Sequence, residues 1–362
     1  MKKARIVVGA NYGDEGKGTV VAKYSKGEDK VLNILTNGGA QRGHTVVTSE
    51  STHTFHHFGS GTLHGASTHY SSFFILNPMQ FRKEWDELLI KPMVFRDKSC
   101  RWSTPFDMIA NSIEEEMKGT HSSCRMGIWN TIVRTREMTW TTLDAFVTLP
   151  FSTRLNFLNN IKTWYESKIN IPEKWKEIWN NPFLITNYLE DCKFLVEHTV
   201  SIENQNDPRL LEYDTFIFEN GQGLLIGDTG ADTPDTTPSD TGSTYGITLL
   251  YAMGLNNENC DTTIHYVTRP YLTRHGDGFL NEETRRFNIS EDIKEDKSNP
   301  YNEGQGNFRH GKLDIDELKT RIEKDAGERN YVLEVTHLDE MDREKEFKKT
   351  FENVETTSNE IV

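Results

Sequence analysis

Ala4-Arg5-Ile6-Val7-Val8-Gly9-Ala10-Asn11-Tyr12-Gly13-Asp14-Glu15-Gly16-Lys17-Gly18 is the stretch on which the fold turns. Residues 4–9 read as a short buried strand that runs straight into a glycine-rich turn. Lys17 to Ser25 then reads as a helix, and Val31 to Leu35 as a second strand ending at Thr36-Asn37-Gly38-Gly39. Strand, glycine loop, helix, strand is the opening of a parallel α/β sheet. The glycines let the backbone turn tightly and aim N–H groups at a phosphate, to which Lys17 adds a cation. Asp14 is unusual there, because a carboxylate repels phosphate. It makes sense as a magnesium ligand, as a base, or as both. A plain glycine turn with exposed charges is the competing reading.

Working outward, Thr215-Phe216-Ile217-Phe218-Glu219 predicts another central strand ending in a glycine loop, and 262–267 and 331–336 predict two more. Between Trp140 and Glu212 the pattern turns helical, with Trp164, Trp175 and Trp179 as core or cap residues. Residues 228–244 are rich in Thr, Gly, Asp and Pro and read as a loop; 284–312 read as a polar, mobile segment. The last twenty residues read as a charged helix that frays into a tail. The fold class expected is α/β, a mostly parallel central sheet with a phosphate-binding turn and helical insertions. One domain is expected over 1–362, with a helical insertion at about 137–212 and a charged tail at about 343–362.

The bulk composition narrows the function. With 41 Lys and Arg against 55 Asp and Glu, the formal charge is −14. A general nucleic-acid binder would be basic, so that class is set aside, while small anions remain compatible through backbone N–H groups. Cys100, Cys124, Cys192 and Cys260 form no Cys-x-x-Cys pair, so reduced thiols are expected rather than a zinc site or disulfides. The apolar run at the start is too short for a signal peptide, and nothing approaches a membrane span. A cytoplasmic protein is expected.

Two further motifs carry chemistry. Gly38-Gly39-Ala40-Gln41-Arg42-Gly43-His44-Thr45 presents a glycine-flanked histidine just after a strand, suited to general acid work, although a lone histidine is more often structural. Glu219-Asn220-Gly221-Gln222-Gly223, again at a strand end, offers an amide that polarises a carbonyl oxygen.

Together the three motifs resemble those of the adenylosuccinate synthetases. That family's Gly-Asp-Glu-Gly-Lys-Gly string is present as Gly13 to Gly18. Its Gly-Gly-His-Asn-Ala-Gly-His-Thr string resembles Gly39 to Thr45, and its Glu-Gly-Ala-Gln-Gly string resembles Glu219 to Gly223. Val267 to Gly276 and Gly304 to Asp314 add further matches. The resemblance covers roughly 4–65, 119–136, 215–280 and 304–340.

It implies a ligase that joins aspartate to a purine monophosphate, with Mg2+ and ATP or GTP as co-substrates and a homodimer as the assembly. It also implies roles. Asp14, His44 and Gln222 would be catalytic, Asp14 removing a proton and His44 protonating the transferring phosphoryl group. Gly13, Glu15, Gly16, Lys17, Gly18 and Thr45 would hold the donor phosphates, and Asp339 the donor base. Gln41, Ser123, Arg134, Gln222 and Thr237 would hold the monophosphate, Arg134 by reaching across the dimer. Gly306, Asn307 and Arg309 would hold aspartate. Asp14 and the Gly43 carbonyl would hold magnesium.

Departures point to a branch. The family's monophosphate-site Asn is Gln41, the small residue after it is Arg42, only Arg309 remains in an arginine-rich loop, and Lys is His337 in the donor-base motif. The terminal segment that touches a donor guanine has no match in Val354 to Asn359. These changes resemble the viral branch that joins aspartate to dGMP on the way to 2-aminoadenine nucleotides, often with ATP; in a viral protein the compartment would be the host cytoplasm. Asp14, which many members of that branch replace, is retained. An ordinary IMP enzyme using GTP, a catalytically inactive nucleotide binder and a small-molecule kinase are the alternatives. The intact Asp14, Lys17, His44 and Gln222 speak against the binder, and the match around Arg309 against the kinase.

Overall fold

The computed structural model describes residues 1–362 apart from 120–122, 140, 228–235, 238, 297–298, 300, 302–305 and 359–362. Most of the loop expected at 228–244, the Gly304-Gln305 end of the aspartate motif and the last residues of the expected tail therefore lie outside the described residues.

The centre is a nine-stranded sheet in which every pairing is parallel. In chain order its strands are β1 (Lys2–Gly9), β2 (Val31–Leu35), β3 (Ser67–Tyr70), β4 (Val94–Asp97), β5 (Val200–Ile202), β6 (Thr215–Glu219), β7 (Cys260–Thr268), β8 (Tyr331–Val335) and β9 (Val354–Thr356). The spatial order is β9-β8-β7-β1-β6-β2-β3-β4-β5. β2 and β6 are buried along their whole length, as a parallel sheet covered on both faces requires. The α/β class with a mostly parallel sheet is what the opening motif implied.

Two cores flank the sheet. One packs Ile6, Phe216, Tyr266 and Leu333 against Ile247, Leu318 and Ile322. The other packs Leu35 and Tyr70 against Trp102, Phe106, Trp179 and Tyr188 of a helical lobe. Six helices make that lobe: Pro105–Lys118, Ile128–Glu137, Leu143–Thr148, Phe151–Glu166, Glu173–Trp179 and Pro182–Glu197. The helical reading after Trp140 thus meets four helices, but it ends in β5 rather than running to Glu212. At the other end, the helix Glu344–Thr350 is followed by β9, which pairs with β8 where a fraying tail was expected. Residues 283–284 and 309–311, within the segment read as mobile, are strands of a small antiparallel sheet with Leu272–Arg274.

All four cysteines are free, and Cys100, Cys192 and Cys260 are buried. Among the described residues, no helix is long and apolar enough to cross a membrane.

Candidate active site

Five strands deliver loops to one edge. β1 ends in the phosphate loop, β2 in Thr36-Asn37, β6 in Asn220-Gly221-Gln222, β7 in Arg269, and β8 in Thr336-His337. In open α/β sheets ligands bind outside the carboxyl ends of the strands. Two concavities of about 390 and 430 Å3 lie at the opposite edge, lined by Met1, Lys2 and Asp214 and by Lys30, Phe95 and Tyr213. They carry none of the motif residues.

The loops interlock. A side chain on Gly223 would meet the Asn11 carbonyl at 2.4 Å, so glycine there lets the β6 loop close on the β1 loop. Gly221 N–H donates to Asn37 Oδ1 (2.7 Å), and Asn220 Nδ2 donates to the Thr241 carbonyl (3.1 Å). Arg321 donates to the Ala10 carbonyl and to Asn11 Oδ1, both at 3.0 Å.

Within the phosphate loop Glu15 turns inward. Its carboxylate accepts from the Asn11 and Gly13 amides (3.0 and 2.8 Å) and from Lys17 Nζ (3.0 Å), and both charged side chains are buried. The Glu15 side chain is thus a buttress of the loop. Gly16 takes a left-handed conformation (φ 90) as N-cap of the helix Lys17–Ser25. The first-turn amides of that helix, including those of Lys17 and Gly18, have no partner within the helix and suit an anion.

Asp14 is held at φ 61, outside the ordinary range for a non-glycine residue. Burial raises its pKa, with His275, Lys17 and Arg269 pulling it down and Glu15 pushing it up. Its carbonyl accepts from Arg269 Nε at 2.7 Å.

His44 begins a short strand paired with Thr52–Phe55, which ties Thr45 Oγ1 to Thr54 Oγ1 at 2.9 Å. Its Nδ1 bonds Glu219, the fully buried last residue of β6. Glu219 also accepts from the Ser60 amide (3.0 Å) and hydroxyl (2.5 Å). Burial alone would raise the Glu219 pKa, but His44, Arg42 and Ser60 hold it down at about 2. Burial lowers His44 to about 4, Glu219 only partly offsetting it. In the resting arrangement a neutral His44 faces an ionised Glu219 with Nδ1–H, and Nε2 is the ring atom turned away from that bond. A side chain on Gly18 would meet His44 Cβ at 3.0 Å, so this histidine stands against the phosphate loop.

Gln222 sits at φ 66 against Gly13, and its Oε1 is buried with no hydrogen-bond partner. Gln41 Oε1 is buried and unpartnered as well. Arg42, buried between Asn37 and Glu219, donates from Nη2 to the Glu219 carbonyl (3.2 Å), while its Nε and Nη1 have no hydrogen-bond partner. Gly43 beside it is exposed.

Asp14, Lys17, His44, Gln222 and the phosphate loop are thus brought together. Arg134 is not. It is buried in the helical lobe, donating to Asp107 Oδ1 (2.8 Å), Asp107 Oδ2 (3.0 Å) and the Trp102 carbonyl (2.9 Å) of its own chain. Ser123 Oγ donates to Asn111 Oδ1 at 3.0 Å. Thr237 is buried and its amide donates to the Ile226 carbonyl (2.8 Å). Gly306 has φ 69 and Asn307 is exposed. Arg309 is engaged by Glu283 (Nε to Oε1, 2.9 Å) and by the Gly278 carbonyl (2.7 Å). Asp339 is exposed on the turn after β8.

Sequence reading gave no role to Glu219, Ser60, Arg42, His275 or Arg269. A carboxylate closing an otherwise apolar strand was the available signal for Glu219; for the others the partners are distant in sequence. Among the described residues no group of three or more His, Cys, Asp and Glu side chains forms a metal centre. A hard divalent ion completed by substrate phosphates needs only one or two protein oxygens, and the Asp14 carboxylate in its buried setting fits that donor set.

The architecture and this edge define an α/β protein with a glycine-rich loop of the phosphate-binding type at the carboxyl ends of a parallel sheet, beside the bonded His44 and Glu219. The adenylosuccinate synthetase family profile matches residues 6–355, and the chain belongs to that family. It is 27% identical over 249 residues to the adenylosuccinate synthetase of Borrelia duttonii, covering 65% of this chain and 55% of that one. Against the Nostoc enzyme it is 26% identical over 291 residues, covering 75% and 61%. The match thus spans between 55% and 61% of the length of these curated relatives. The fold is shared with the fully ligated adenylosuccinate synthetase of Plasmodium falciparum (TM-score 0.73, 20% identity, 94% of this chain and 78% of that one). It is shared too with the cyanophage S-2L succinoaminodeoxyadenylate synthetase bound to dGMP and dATP (TM-score 0.66, 13% identity, 98% and 91%).

Proposed function

We propose that this protein joins L-aspartate to C6 of a purine monophosphate, dGMP before IMP, at the cost of a nucleoside triphosphate. The observation that carries the reaction class is the convergence of the Asp14 loop, the His44–Glu219 pair and Gln222 at one sheet edge. Asp14, made more basic by burial, takes the N1 proton of the purine. O6 then attacks the γ-phosphorus as the bond to the β-phosphate oxygen breaks. His44 stabilises the charge on the transferring group through Nε2, its affinity for a proton raised by the arriving phosphates and by Glu219 behind it. The aspartate amine adds at C6 and inorganic phosphate leaves. The Asp14 carboxylate and the Gly43 carbonyl would hold Mg2+, which when bound neutralises phosphate charge. Arg309 would receive the aspartate carboxylate in place of Glu283.

The preference for dGMP rests on the two unpartnered amide oxygens, Gln41 Oε1 and Gln222 Oε1. Buried acceptors require donors. A guanine offers the two N–H donors of a 2-amino group, which hypoxanthine lacks, while the N1 proton of either base goes to Asp14. The cyanophage relative, bound to dGMP, is compatible with this choice. His337, where the family's donor-base motif has lysine, favours ATP over GTP as donor, with the exposed Asp339 at the donor base. A product-mass assay with aspartate, ATP or GTP, and dGMP, GMP or IMP tests the reading. An aspartyl adduct of dGMP formed with ATP is expected. Turnover of IMP with GTP alone would replace this reading with the ordinary family reaction, and nucleotide binding with no product would leave an inactive binder.

A further inference from the structure

Arg269 has been described only as a neighbour of Asp14. It is 4% exposed and joins four separate segments. Nε donates to the Asp14 carbonyl (2.7 Å) and Nη2 to Asp296 Oδ2 (2.6 Å). Nη1 donates to the Tyr271 hydroxyl (3.2 Å), and that hydroxyl donates onward to Glu340. The guanidinium also lies 5.4 Å from the ring centre of Phe308, beside the aspartate loop. A second tie runs in parallel: Thr336 Oγ1 donates to the Glu15 carbonyl at 2.7 Å. The turn at 336–340 is therefore fastened to the carbonyls of two consecutive residues of the phosphate loop.

We propose that Arg269 is a positioning residue, which pins the left-handed backbone of Asp14 and couples it to the turn after β8 that would receive the donor base. The proposal rests on the reading of Asp14 as the group that accepts the substrate's proton. A non-glycine residue in this conformation persists only where its surroundings over-determine it. A buried carbonyl acceptor locked by a rigid guanidinium is such a restraint. Lysine, a single point cation, cannot bond a carbonyl, a hydroxyl and a carboxylate in three fixed directions. The field of Arg269 reaches the same groups. Burial is the main cause of the lowered pKa of His337 and of His310, and Arg269 is the second cause for each.

The test compares Arg269→Met, Arg269→Lys and Asp296→Asn in the full chain. The first readout, which does not depend on turnover, is the backbone 13C resonance of the Asp14 carbonyl, assigned by specific labelling; it reports the hydrogen bond from Arg269 Nε and the left-handed conformation. It should move in Arg269→Met and Arg269→Lys and stay near wild type in Asp296→Asn, which keeps the Nε bond. The second readout is kinetic. A misplaced base loses on the order of a hundredfold in kcat, with the monophosphate KM little changed. If Arg269→Met does not fold, Arg269→Lys carries the test, because it keeps the charge and loses the fork. An Asp14 carbonyl resonance and a kcat that both match wild type in Arg269→Lys, or an unmoved Asp14 carbonyl resonance in folded Arg269→Met, would overturn the proposal. Absence of ligase turnover in the wild type would refute the functional reading while the carbonyl resonance still decides this one.

Discussion

Two buried arginine–carboxylate pairs, Arg134–Asp107 in the helical lobe and Arg42–Glu219 at the sheet edge, are treated in opposite ways. Arg134 in the lobe spends its guanidinium on Asp107 and the Trp102 carbonyl, and Tyr165 adds its hydroxyl to Asp107 at 2.6 Å. Burial lowers its pKa, but Asp107 more than restores it, and the net shift is upward. Arg42 at the edge stands with Nη1 3.8 Å from Glu219 Oε1, burial dominates, and its pKa is lowered. Unpartnered polar atoms of Gln41, Arg42 and Gln222 cluster around it. A satisfied buried pair marks architecture. Unsatisfied buried donors and acceptors, which cost stability, mark a place kept for something else.

The comparison breaks first on catalysis. Asp14→Asn and His44→Ala should lose roughly a hundred- to ten-thousand-fold in turnover while each variant still folds, as its far-ultraviolet circular dichroism checks. A variant that keeps about half of its activity would strip that residue of its role.

Stability should separate the two arginines. Arg134→Met leaves Asp107 buried with one charge partner fewer and should cost about 3–5 kcal/mol in urea unfolding. Arg42→Met should cost clearly less, because Glu219 keeps His44 and Ser60. Equal losses would erase the distinction between lobe and edge.

The loop around Arg309 offers a smaller effect. Arg309→Leu should raise the aspartate KM by the equivalent of about 1.5–3 kcal/mol, with the monophosphate KM less affected. An unchanged aspartate dependence would remove Arg309 from the site.

The gentlest effect is a slope with pH. His44 and His310 are lowered to about 4 and His57 to about 3, each chiefly by burial. Their unfolded forms bind protons below the ordinary 6.5 while the folded forms do not. Their contribution to stability is therefore complete above pH 6.5 and lost as pH falls towards 4. Glu219 and Glu334, held near 2, add a further loss between about 4.5 and 2. Asp191, raised to about 6 by burial, acts in the opposite sense between 3.8 and 6. Melting temperatures should fall on acidification from pH 7 to 4, and His44→Ala should flatten that fall. A flat profile in the wild type would contradict the burial assigned to these histidines.

The central strands, the helix Lys17–Ser25 and the three motif loops were legible in the sequence, because apolar runs closed by glycine are strong local signals. The short edge strands were not. Ser67-Thr68-His69-Tyr70 shows no apolar period, and β9 reads as a polar tail; each is a strand only because a neighbour supplies its hydrogen bonds. The pairing of Arg134 with Asp107 was hidden for a related reason, since an outline of motif residues does not say which way a helix turns its face.

The sequence by itself determined the parallel α/β class, the anion loop and the presence of Asp14, Lys17, His44 and Gln222, all of which follow from bonds and turns within a few residues. Only the tertiary structure decided that Glu15 closes the loop from inside and that Arg134 belongs to the lobe. Pairing His44 with Glu219, 175 residues away, and fastening Asp14 through Arg269, 255 residues away, were likewise decided there. Partner choice and burial depend on distances through space, and those are set when the strands stack side by side.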